Sequence, residues 1–230
     1  MASSGTYAFA PSIADLVVNA FNRIQIRPTS LTIDHLKDAT IETNLLFSEL
    51  SNKQPNLWTT ETQSVTIVDG TATYNLPART ILILTAYIET GSGANTVGRV
   101  LGPLSATEYA SMPNKQNEAP PTAFWFNRQI TPTITYYPTP DATGTYTGKL
   151  LAIRQIQDAG LANGETLDVP YRWLDAITAG LAYRMARIYA PPLEQVRKAD
   201  AAEAWNVAFT NDTEAVPVYV TPALGGYYRM

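Results

Sequence analysis

Acid–base chemistry in this chain would have to rest on one histidine, His35, and on carboxylates in loop-rich sequence: Glu108, Glu118, Asp141, Asp158 and Glu165. Two such carboxyls held about 5–9.5 Å apart across a bound sugar would cleave a glycosidic bond. Glu108 or Glu118 would then be the acid and Trp125 a stacking platform. That makes a cell-wall glycan hydrolase or carbohydrate-binding module the alternative reading. No spacing in the sequence fixes such a distance, and carboxylates in loops are ordinarily solvated. Asp34 and Asp38 share a helix face beside His35, but a triad or metal site needs partners that no spacing identifies. A surface or half-buried helix histidine is the plainer reading. The chain has no cysteine, which excludes disulfides, thiolate chemistry and zinc sites with sulfur ligands. A single histidine excludes every two-histidine motif. Gly91-Ser92-Gly93-Ala94-Asn95-Thr96 lacks a Gly-Lys-Ser/Thr ending and breaks the dinucleotide spacing at Thr96, so it reads as a flexible loop. No catalytic residue, cofactor site or metal ligand is assigned.

Net charge is −4, from 16 Lys and Arg against 20 Asp and Glu, and no basic cluster offers the phosphate-neutralising surface of a DNA-binding protein. Arg172, Arg184, Arg187, Arg197 and Lys198 are interleaved with Asp175, Glu194, Asp200 and Glu203, a pattern of pairing within a helix or between subunits. A DNA-binding packaging factor, the third reading, would need that balance broken. Residues 1–9 carry no Lys or Arg and no long apolar core, against a secretory signal. The longest aliphatic run, Ile81-Leu82-Ile83-Leu84, is far below the ~20 residues of a membrane span. The expectation is a soluble chain made in the cytoplasm.

These residues need elements to hold them. With 230 residues, 45% of them hydrophobic, the chain can build one generous core or two small ones. Ile13, Leu16, Val17, Ala20, Phe21 and Ile24 recur at helical spacing behind a Ser12 cap, and Pro28 closes the segment. A second helix is predicted over 33–50, with Leu36, Thr40, Thr43, Phe47 and Leu50 in one stripe. Ile41, Leu45 and Leu46 widen that stripe enough to imply more than one neighbour. From Leu57 the period changes. Val65-Thr66-Ile67-Val68 and Thr71-Ala72-Thr73-Tyr74 flank Asp69-Gly70, which predicts a β-hairpin. Further strands are expected at 81–88, 123–128, 133–137 and 145–153, with a short helix at 105–110 among long loops. Helical spacing returns after Asp168, an expected N-cap ahead of Pro170, with Leu174, Ile177, Leu181, Met185 and Ile188 as the core stripe. A last helix covers 193–209 and carries Trp205.

The fold expectation is therefore α+β. A four-helix bundle is closed by the N- and C-terminal helix pairs (1–56 and 167–212), an antiparallel β domain is inserted at 57–166, and an extended tail follows at 213–230. Either helix pair alone would leave its apolar face wet. Phe124-Trp125-Phe126 puts one aromatic on the strand face opposite its two neighbours. A buried central strand, a sugar platform or a subunit contact would each account for that. The tail holds Val218, Tyr219, Tyr227 and Tyr228 among Pro217, Pro222 and Gly225-Gly226, a composition suited to docking on a partner.

The order of several short motifs carries a resemblance. Leu57-Trp58 follows the paired N-terminal helices, and Tyr74 to Pro77 supply Tyr-x-Leu-Pro. Leu104 to Tyr109 read Leu-Ser-x-x-Glu-Tyr, and Pro113-Asn114-Lys115 precede the aromatic strand, with Pro138 beyond it. Asp168-Val169-Pro170 lead to Leu174-Asp175-Ala176 and Gly180-Leu181-Ala182-Tyr183-Arg184, and Tyr189-Ala190-Pro191 close that helix. Over about residues 13–209 the chain resembles the head-to-tail adaptor proteins of short-tailed bacteriophages, tail tube A-like or head completion connectors. The resemblance implies a non-enzymatic structural virion protein without cofactor or membrane contact. Such proteins form a dodecameric ring that joins portal to tail nozzle around the channel for genome retention and ejection. The resemblance also implies that the tail meets the portal through Val218, Tyr219, Tyr227 and Tyr228, and that Trp125 and Phe126 meet a neighbouring subunit or the nozzle. A balanced, acidic surface suits a lumen that passes DNA without tight binding, since gripped phosphates would retard ejection. Heterologous contacts between identical subunits close into rings when the rotation permits.

Overall fold

The computed structural model describes residues 5–7, 9–53, 56–91, 95–142, 144–161 and 164–213. Val218, Tyr219, Tyr227 and Tyr228 lie outside the described residues. The helices are α1 (Ile13–Arg23), α2 (Ile33–Lys53), α3 (Ala106–Ser111), α4 (Leu174–Tyr189) and α5 (Glu194–Asn211). The strands are β1 (Thr60–Thr66), β2 (Thr73–Asn75), β3 (Thr80–Thr90), β4 (Val97–Val100), β5 (Gly102–Leu104), β6 (Ala123–Asn127), β7 (Thr133–Tyr137) and β8 (Tyr146–Arg154). The protein is α+β, with one apolar core among helices and a second between two sheets.

Ser12 starts α1 as expected, within a reciprocal capping box: Asp15 N–H donates to the Ser12 hydroxyl and Ser12 N–H donates to the Asp15 carboxylate, both at 3.2 Å. The chain turns out of α1 through Gln25, which adopts φ 67°. Helix α4 is the centre of the helical core, and α1, α2 and α5 each pack on it. Its residues from Ala176 to Ala182 are all buried. Gly180 permits this. A Cβ there would sit 3.0 Å from the Trp205 indole nitrogen of α5 and 3.2 Å from Leu46 of α2. Of the residues expected to widen the α2 stripe, Leu46 is buried, whereas Ile41 and Leu45 are 58% and 49% exposed. Ile156 and Ala159, downstream of β8, also belong to the helical core.

The sheets run β1-β8-β3-β4 and β2-β7-β6-β5 and bury Ile83, Ala86, Ile88 and Leu150 of one against Phe124, Ile134 and Tyr136 of the other. Three expectations need correction. First, Asp69-Gly70 is a turn, with Gly70 at φ 67°, but its flanks do not pair as a hairpin. β1 pairs with β8, from Thr60 opposite Ile153 to Thr66 opposite Thr147, and β2 pairs with β7. The turn is an arch between sheets. The Tyr74 hydroxyl fastens it by accepting the Val68 N–H at 2.8 Å and donating to the Thr71 carbonyl at 2.8 Å. Second, the sheets are not wholly antiparallel. β5 lies parallel to β6, a pairing that α3 and the loop after it make possible by returning the chain to the same end. Third, Asp168 does not cap α4. Its carboxylate takes both terminal nitrogens of Arg154 and the Gln157 N–H, and α4 is entered through a tight turn at Tyr171–Trp173.

Candidate interaction surfaces

The structure scatters most of the candidate acids. Glu108 closes a capping box at the start of α3, where its carboxylate accepts the Ser105 N–H at 2.7 Å. That bond holds the carboxyl below its ordinary range, the opposite of what a general acid needs. Asp141 accepts the Tyr146 hydroxyl at 2.8 Å, and Glu118 lies beside the Gly70 arch. Asp158 and Glu165 do reach one small cleft, together with Gln157 and Asp168, of which Asp168 is already bound by Arg154. Trp125 is not part of that cleft. Among the described residues no cluster of His, Asp and Glu is placed to hold a metal, and no helix is long and apolar enough to cross a membrane.

His35 is half-buried in α2. Its Nδ1 accepts the Thr32 N–H at 3.1 Å, and its ring lies 4.5 Å from that of Tyr189, with Phe21 edge-on at 5.5 Å. Tyr189 in turn donates to the Asp38 carboxylate at 2.5 Å. This is a structural knot joining α1, α2 and the end of α4. Loss of solvent around the Tyr189 hydroxyl, the Asp38 bond and the nearby Asp34 charge push its ionisation up to about 12 from 10.0. A raised value means that folding favours the neutral phenol. Its contribution is therefore complete below about pH 10 and is lost as pH rises toward 12. Urea midpoints of the protein and of Tyr189→Phe should differ at neutral pH and converge across that window. A difference that persists above it would contradict the assignment.

The arginines of the C-terminal segment, Arg172, Arg184, Arg187 and Arg197, are engaged by acids of the same chain. Arg184 bridges α4 to α2 through Glu42 at 2.9 Å and Glu49 at 2.7 Å. A bond from Lys53, together with Arg184, holds Glu49 below the ordinary carboxylate range against the effect of burial. Arg172 meets Asp212 at 2.6 Å, Arg197 meets Asp200 at 3.0 Å and Arg187 lies 3.8 Å from Glu194. Sequence interleaving foretold pairing within helices or between subunits, and Arg197 to Asp200 is such a pair within α5; Arg184 instead reaches another helix of the same chain, and of the partners found only Asp200 and Glu194 were among those expected. Glu42, Glu49 and Asp212 were missed because they are remote in sequence from the arginines they bind, or uncoupled from them by any helical period.

The aromatic strand is two-faced, as its alternation required. Phe124 is buried between the sheets and Phe126 packs against that core. Trp125 faces outward, half-buried, stacked on Tyr109 of α3 with centroids 5.1 Å apart and planes 21° off parallel. Lys115 covers the Tyr109 ring at 5.6 Å. Other apolar side chains are left uncovered: Ile41 and Leu45 on α2, Val207 on α5, and Val97 and Val100 on the edge strand β4.

The arginines of α4 and α5 are paired with carboxylates of the same chain, and apolar side chains are uncovered on both cores. A family model described as SU10 adaptor protein matches residues 11–220. The chain belongs to that family of phage head-to-tail adaptors, structural components of the virion. No curated protein matches the chain.

Proposed function

We propose that this chain forms a dodecameric ring that joins the portal to the tail nozzle and lines the DNA channel used for genome retention and ejection. The observation that carries the reading is the family match, which runs through both the helical and the sheet cores. In this reading 1–56 and 167–212 make a four-helix bundle, 57–166 is an inserted β domain and 213–230 is a docking tail. DNA passes without tight binding, since the arginines of α4 and α5 are occupied by Glu42, Glu49, Asp200 and their like. The uncovered Ile41, Leu45 and Val207 suit heterologous contacts between copies, which close into rings. Val218, Tyr219, Tyr227 and Tyr228 meet the portal, and Trp125 and Phe126 meet a neighbour or the nozzle. Synthesis is in the host cytoplasm.

Removing the residues after Thr213 tests the tail. The truncated chain should keep its helical circular dichroism and cooperative melting, because both cores lie upstream. It should no longer co-sediment with portal. Truncated protein that assembles on portal like the full chain would overturn the assignment.

A further inference from the structure

The sheets of the sandwich end on strands with one side unpaired, and β1 is the longest of these edges. Ile67 N–H donates to the Tyr146 carbonyl at 3.1 Å, and the register from Thr66 opposite Thr147 back to Thr60 has no bulge. Bonding alternates along an antiparallel pair. Gln63 and Val65 therefore bond to β8, while the N–H and C=O groups of Thr62, Ser64 and Thr66 point away from the sheet. No described backbone group outside the sheet meets them. Natural edges are blunted by lysine, proline, a bulge or a covering element. β1 has no lysine or proline, and its one charged side chain, Glu61, is engaged by Arg79 at 3.2 Å. A cleft of about 290 Å³ lies along the strand, walled by residues 61–65 on one side and by Asn75, Leu76, Pro77 and Arg79 on the other.

The other end of the same sheet is β4, which is open as well. Leu101 N–H donates to the Ala86 carbonyl at 2.9 Å, and Arg99 lies opposite Ile88. By the same alternation Gly98 and Val100 turn their backbone groups away from β3. Val97 and Val100 are 67% and 69% exposed, and Gly98 has no side chain to obstruct an approaching strand. The sheet has four strands, each antiparallel to the next, so β1 and β4 run in opposite directions. Ring neighbours share one orientation. They therefore bring β4 of one copy against β1 of the next as antiparallel strands, which an odd number of strands would not allow. Two different edges meeting in this way is a heterologous contact, the kind that closes into rings.

We infer that β4 of one copy adds to the edge of β1 in the next, so that the β1-β8-β3-β4 sheet continues from subunit to subunit. The pairing rests on the ring assembly proposed for this protein and specifies a contact that builds it. Gly98 and Val100 bond to Ser64 and Thr62, a register that sets Val97 opposite Val65 on the face shared with the sheet core. Main-chain hydrogen bonds carry such strand addition.

Residue-resolved amide hydrogen exchange on the full chain, dilute and assembled with portal, tests this directly. In the dilute chain Gln63 and Val65 should be protected, while Thr62, Ser64, Gly98 and Val100 exchange freely. On assembly those four amides should slow together by about tenfold or more, the scale of one newly made hydrogen bond. A ring in which they exchange as in the dilute chain would overturn the pairing and leave the ring intact. A chain that forms no ring would overturn both. Thr62→Pro removes a donor that faces away from β8, a position where an edge strand tolerates proline. This variant should keep the parent's melting midpoint and lose ring assembly about tenfold or more, whereas Thr62→Val, which keeps the N–H, should assemble normally. A proline variant that assembles like the parent would also overturn the pairing.

Discussion

Trp173→Ala is expected to cost about 3–5 kcal/mol of stability, the range for deleting a large buried aromatic. In a chain of this size that lowers the melting midpoint by on the order of 10 °C. Trp173 is fully buried in the turn before α4, and its ring is the hub of an aromatic cluster. Phe209 lies 5.1 Å away nearly perpendicular, Trp205 6.3 Å away at 89°, and Trp58 6.1 Å away. These neighbours come from α5 and from the segment entering β1, so the cavity would open where the helical core meets the start of the sheet region. The indole nitrogen of Trp173 is buried and has no hydrogen-bond partner among the described residues, and Trp173→Phe should therefore retain most of the stability. Urea midpoints of the two variants check this, and an alanine variant within about 1 kcal/mol of the parent would contradict it.

Gly148→Ala should be the most damaging single-methyl addition in the sheet core, at about 1–3 kcal/mol. Gly148 of β8 faces Tyr136 of β7 across the sandwich. A Cβ at Gly148 would collide with the Tyr136 hydroxyl, and would approach its ring carbon to 3.2 Å and Ile67 to 3.4 Å. The Tyr136 side chain cannot swing clear, being 1% exposed and wedged edge-on against Tyr74 at 5.8 Å. Its hydroxyl has no hydrogen-bond partner among the described residues, and burial pushes its ionisation well above the ordinary tyrosine range. Tyr136→Phe should therefore be neutral or stabilising by about 1 kcal/mol. Combined with Tyr136→Phe, Gly148→Ala should lose much of its cost, with a coupling in the ~0.5–3 kcal/mol range for touching residues. Strict additivity in the double-mutant cycle would show that the hydroxyl is not what the new methyl meets.

What the sequence disclosed was whatever is written locally. Ser12 and the spacing from Ile13 to Ile24 mark α1, and the alternation through Phe124, Trp125 and Phe126 puts Trp125 on the face opposite its neighbours, though only the second sheet decides which face is covered. Ser105 and Glu108, three apart, carry a capping-box signature that explains the carboxylate better than catalysis does. Partner choice is not local. Asp69-Gly70 makes a turn in a hairpin and in an arch alike, and only the distant β8 decides between them by taking the edge of β1. Asp168 has the chemistry of an N-cap, yet the Arg154 guanidinium claims it. β4 and β5 are too short, and too interrupted by Gly98, Gly102 and Pro103, to register as strands before β3 and β6 receive them. The α2–α4 tie of Arg184 to Glu42 and Glu49 spans most of the chain, where no period connects the partners.

The claim that this protein acts only as part of a ring on the portal is tested most directly by its mass. Native mass spectrometry of the full chain, alone and mixed with portal, should give a dodecamer of this protein bound to the portal ring in the mixture. A chain that stays monomeric beside free portal would contradict the account.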